Sequence, residues 1–94
     1  MKEYQGQRTI DGIKVTVDGE PLAEYFDVHT YDDKGFEWSY VGTAPRQLAL
    51  AILVDHFQDP EKAKSKVEAF TEKIIADLDN DWILTSEQIA AVFT

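Results

Sequence analysis

The chain has 94 residues, 44% of them hydrophobic, which suffices to close one core and leaves no room for a second domain. Eighteen acids against nine bases give a formal charge of −9, which opposes direct contact with DNA, RNA or anionic lipid, because phosphate binding needs clustered Lys and Arg. The lack of cysteine excludes a disulfide framework, a thiolate metal site and a cysteine nucleophile, and without a leader pattern or a bilayer-length apolar run the chain reads as soluble, unprocessed and cytoplasmic.

Tyr4 to Ile10 and Ile13 to Val17 read as two strands, the second by the alternation of Ile13, Val15 and Val17 with Lys14 and Thr16. Asp11-Gly12 between them is a two-residue hairpin signal, since both residue types tolerate positive φ. Asp18-Gly19 repeats the signal, and Pro21 leads into Leu22 to Thr30, a short strand or irregular edge. Asp32-Asp33-Lys34-Gly35 is a third turn. After it, Phe36, Trp38 and Tyr40 alternate with Glu37 and Ser39, which predicts a strand with one aromatic face.

A helical half follows. Thr43 is placed to cap the first helix and Pro45 falls in its first turn, where a missing N–H is harmless. Leu48 to Val54 is apolar nearly all round, so this helix must be covered on more than one side; it ends near Phe57. Asp59-Pro60-Glu61 starts a second helix, whose Ala63, Val67, Phe70, Ile74 and Leu78 form a single apolar stripe. Thr85-Ser86-Glu87-Gln88 is a capping box, with Leu84 and Ile89 as its staple, and opens a short last helix. The expected fold is α+β in one domain, residues 1–94. An antiparallel β-meander of three to four strands precedes three helices packed on the sheet, with the apolar helix between sheet and cover helix.

Few residues suggest chemistry. Asp77, Asp79 and Asp81 match the first acidic positions of a calcium loop, but Trp82 stands where the loop needs glycine and Gln88 where it needs a bidentate glutamate. His29 and His56 lie in no metal-binding spacing, and no nucleophile elbow or phosphate-binding glycine pattern is present. The expectation is therefore a protein without catalytic residues, metal or cofactor. Phe36, Trp38 and Tyr40 could stack bases, yet their neighbours are acidic, which favours core packing.

Charge is concentrated in the front half, where Asp11, Asp18, Glu20, Glu24, Asp27, Asp32, Asp33 and Glu37 face only Lys14 and Lys34. Asp18, Glu20, Glu24, Asp27, Asp32 and Asp33 are the candidate partner-binding face, and the partner they would steer is a protein with a basic surface.

Tyr4-x-Gly6, Val15-x-Val17-Asp18-Gly19, the run Gly35-Phe-Glu-Trp-Ser-Tyr-Val-Gly42, Gln47-Leu-Ala-Leu-Ala-Ile-Leu53 and Trp82-x-Leu84-Thr85 follow in order. Together they resemble a family of small uncharacterised proteins of phages, bacteria and archaea. Ser39 stands where that family usually has glycine, and His29 to Lys34 replaces a shorter turn. The resemblance implies a phage or mobile-element setting, and no catalytic residue carries over from it. The expected function is a small interaction protein that blocks a host defence or nucleic-acid-handling protein, imitating phosphate charge as a DNA mimic or anti-CRISPR inhibitor would. Two alternatives belong to other classes. One is a ligand- or metal-binding module or enzyme using His29 and Glu37 with a pocket at Trp38; the other is an accessory domain that self-associates through a strand edge.

Overall fold

Two tight turns draw the first part of the chain into a meander. In the computed structural model, which describes residues 2–93, β1 (Glu3–Thr9), β2 (Gly12–Val17) and β3 (Glu20–Pro21) are antiparallel neighbours. A fourth strand, β4 (Trp82–Thr85), returns antiparallel to the other side of β1 and sets the order β3-β2-β1-β4. Asp18 (φ 50°) and Gly19 (φ 87°) both take the left-handed conformation of a two-residue hairpin turn. The first hairpin departs from expectation: Ile10 and Asp11 make the turn, and Gly12 opens β2 at φ 119°. Thr9 holds that turn, donating its hydroxyl to the Gly12 carbonyl at 2.7 Å and accepting the Asp11 N–H at 3.2 Å.

Helix α1 (Thr43–Phe57) forms the centre of the core, with Leu48 to Leu53 fully buried, as its all-round apolar sequence requires. Its N-cap is Gly42 with no side-chain bond, so the expected Thr43 cap is not used. Helix α2 (Pro60–Lys73) packs beside it through Ala63, Val67 and Phe70, and Asp59 caps α2 by accepting the Lys62 N–H at 3.2 Å. The apolar stripe of α2 continues to Leu78 only through a change of winding, a 3₁₀ turn at Ile75–Asp77. Helix α3 (Ser86–Val92) begins with the full capping box, Thr85 and Gln88 each accepting the other's backbone N–H.

The predicted aromatic strand does not form. Residues 36–40 run as irregular chain, and Ser39 sits at φ 78°, a conformation that suits glycine and interrupts an extended run. Its N–H donates to the Ile75 carbonyl at 3.0 Å, so this segment is tied to the 3₁₀ turn instead of a strand. Leu22 to Thr30 is likewise irregular beyond the two-residue β3. The strand that completes the sheet is β4, in which Trp82 and Leu84 point inward and Ile83 is 56% exposed.

Trp38 nonetheless reaches the core. Its ring meets Trp82 edge-on at 5.6 Å and 88°, and the Arg8 guanidinium lies 4.6 Å over its face. Trp82 pairs across the ladder with Gly6, whose missing side chain lets the indole lie directly on the β1 backbone. Arg8 also donates to Glu37 Oε1 at 2.6 Å, the Trp38 carbonyl at 3.0 Å and Asn80 Oδ1 at 2.7 Å, joining β1 to two irregular segments.

Candidate interaction surface

Residues 22–42 contain neither helix nor strand, yet their path is fixed from within. Gln47 on α1 is fully buried. Its Oε1 accepts the N–H groups of Tyr31 (2.7 Å) and Asp32 (3.3 Å), and its Nε2 donates to the carbonyls of Glu24 (2.8 Å) and His29 (3.1 Å). One amide side chain thus satisfies four backbone groups that a loop cannot pair by itself. The only sequence signal for this role is a polar residue opening an otherwise apolar helical run, and the sequence reading missed it. Tyr25, at φ 57°, turns the chain so that its carbonyl accepts the N–H groups of Val28 (3.0 Å) and His29 (3.3 Å).

The six candidate acids fall into two groups. Asp18 and Asp32 are structural. Asp18 accepts the Glu3 N–H at 2.9 Å across the start of the sheet. Asp32 accepts the Lys34 N–H at 2.8 Å through one oxygen and the Thr43 hydroxyl at 2.9 Å through the other, linking the loop to the first turn of α1. These bonds, led by that from Lys34, hold its carboxyl below the usual carboxylate value. Glu20, Glu24, Asp27 and Asp33 are exposed, and their carboxylates make no hydrogen bond or ion pair among the described residues. Glu20 lies on β3, whereas Glu24, Asp27 and Asp33 ride on the segment that Gln47 fixes.

The alternative pair is not brought together. His29 is exposed with its ring 4.4 Å from that of Tyr31, while the Glu37 carboxylate is held by Arg8 and by the Trp38 N–H. Trp38 is fully buried and offers no open aromatic pocket or stacking platform. His56 sits half-buried near the end of α1, where desolvation, with help from Lys2 and Lys62 and against Asp55, holds its pKa below the usual value. Among the described residues no group of three or more His, Asp or Glu side chains is arranged to hold a metal ion. No described helix is long and apolar enough to cross a membrane.

Comparison with known proteins adds a single relationship. No curated protein and no solved structure matches the chain. A family model does match over residues 4–94, nearly the whole of the sequence, and on that ground the chain belongs to the family of unknown function DUF6166.

Proposed function

We propose that this protein is a non-enzymatic interaction module that docks on a basic surface of a host protein and blocks it, the target being a defence or nucleic-acid-handling protein. The observation that carries this reading is the set of unpaired, exposed carboxylates at Glu24, Asp27 and Asp33, mounted on a loop whose backbone is pinned to the core by Gln47. A loop already ordered loses little backbone entropy on binding, so less of the attraction its charges supply is offset by ordering the chain. With a formal charge of −9, the whole molecule also attracts a cationic partner from a distance and repels nucleic acid.

The test is capture of host proteins by the immobilised native chain and by a variant carrying Glu24→Lys, Asp27→Lys and Asp33→Lys. Asp18 and Asp32 are left in place because their bonds hold the fold. The expected result is a partner retained at low salt, released as salt rises, and absent from the equally folded variant. Equal capture by native and variant chains rejects the proposal.

A further inference from the structure

We propose that Phe26 and Asp27 together form a seat for an arginine side chain of the partner protein, the guanidinium lying on the ring while it pairs with the carboxylate. The inference rests on the acidic docking face proposed above and names the residue that face selects. The Tyr25 carbonyl accepts the N–H groups of Val28 (3.0 Å) and His29 (3.3 Å), and the Thr30 hydroxyl donates to the Phe26 carbonyl at 3.1 Å, which winds residues 25–29 into one helix-like turn. Tyr25 and Val28, three residues apart, pack against the core on the inner side of that turn. Phe26 and Asp27 fall between them and share the outer side, where both are exposed.

Phe26 is the most exposed of the five phenylalanines, at 37%, and among the described residues its ring meets no other ring and no cation. The Asp27 carboxylate likewise has no ion pair there. Glu24 is less available, since its carboxylate lies beside Gly35 on the rim that also carries Lys34. Elsewhere the chain fills the same combination from within: Arg8 holds its guanidinium 4.6 Å over the Trp38 ring while donating to the carboxylate of adjacent Glu37 at 2.6 Å. Lys62 and Lys66 cover the rings of Phe57 and Phe93 at 4.6 and 5.7 Å. Phe26 and Asp27 repeat the pairing of a ring with an adjacent acid, but no internal cation serves them. Arginine fits that pair better than lysine, because a planar guanidinium can stack on a ring and still present N–H groups edgewise to a carboxylate. The formal charge of −9 favours the approach of such a cation.

The test uses the full chain, ¹⁵N-labelled and titrated at low salt with two end-blocked synthetic hexapeptides of equal charge, in which glycine alternates with arginine or with lysine. The arginine peptide is expected to shift the amide signals of residues 25–29 and to bind about threefold tighter than the lysine peptide. Phe26→Leu should abolish that preference while leaving lysine binding unchanged, and Phe26→Tyr, which keeps a ring, should retain it. Asp27→Asn should weaken both peptides. In the native chain, intermolecular NOEs should join the Phe26 ring to arginine side-chain protons, a readout that needs no variant to fold. Equal binding of the two peptides, with shifts spread over Glu20, Glu24, Asp27 and Asp33, overturns the arginine seat and leaves the docking face standing. Binding by neither peptide overturns both, and an arginine preference that survives Phe26→Leu overturns the role of the ring. Arginine-selective binding beside failed capture of a host protein keeps the seat and removes only the blocking role.

Discussion

Replacing Gly6 with alanine sets two rules against each other. In the middle of a strand, alanine for glycine should stabilise by about 0.5–1 kcal/mol, since it lowers the entropy of the unfolded chain. Here a Cβ on Gly6 would lie 2.3 Å from Trp82 Cε2, 2.4 Å from Nε1 and 2.5 Å from Cζ2, more than an ångström inside contact distance. The indole has little freedom to retreat, being 7% exposed and set edge-on against Trp38, over whose ring the Arg8 guanidinium lies. Forced overpacking costs about 1–3 kcal/mol. Full expulsion of Trp82 would relieve that strain but forfeit its buried area, about 4–6 kcal/mol at ~25 cal/mol per Å², so the outcome lies between the two limits. A net loss of about 3 kcal/mol is expected, which for a domain of this size lowers Tm by about 12–24 °C. Thermal melting by circular dichroism gives the magnitude, and tryptophan fluorescence reports whether the indole has moved into water. A variant as stable as the native chain, with unchanged emission, would refute the packing argument and leave backbone propensity in charge.

Other perturbations probe the remaining contacts. Gln47→Leu strips four backbone groups of their partner, and because water can reach some of them the expected loss is about 2–4 kcal/mol, with faster hydrogen exchange at Tyr31 and Asp32 while α2 stays protected. Tyr4→Phe removes the bond from the Tyr4 hydroxyl to Asp55 Oδ2 (2.7 Å) but leaves the Lys2–Asp55 pair, so about 1.5 kcal/mol should be lost in urea titrations at neutral pH. Burial and that same bond push the Tyr4 phenol far above its usual value of 10; the folded chain keeps its proton where the unfolded chain gives it up. Its stabilisation is complete below pH 10 and declines above it, so the native chain should lose stability there and the phenylalanine variant should lack that decline. His56 has the opposite sense: its pKa is depressed in the fold, so its contribution is complete above 6.5 and is lost as pH falls from there through the folded value. His56→Gln should flatten the Tm profile in that window, above the range where Asp32 and Glu68 begin to titrate.

The parts legible in the sequence were those fixed by local chemistry. The Asp18-Gly19 turn, the Asp59 cap, the Thr85 capping box and the burial of Leu48 to Leu53 each follow from residues adjacent along the chain or along a helix. Two errors share one cause. Phe36, Trp38 and Tyr40 alternate like a strand, but only Trp38 is fully buried and Tyr40 is 49% exposed. Alternation records which side chains can pack, and it becomes a strand only when a neighbour offers backbone partners. That neighbour, β1, instead takes up Trp82-Ile83-Leu84-Thr85, whose alternation is hidden by apolar letters in consecutive places. At the candidate surface, composition located the acids but not their division into structural Asp18 and Asp32 and unpaired Glu20, Glu24, Asp27 and Asp33. That division depends on bonds to Glu3, Lys34 and Thr43, and the first and last of these are distant in sequence.

Gln47 grips only main-chain atoms, so the segment it shapes is indifferent to the identity of its own outward residues. Glu24, Asp27 and Asp33 can therefore be rewritten, in charge or in size, with the path of the chain beneath them unchanged. Recognition and architecture are thereby uncoupled, and the segment can serve as a replaceable printing plate on a permanent press.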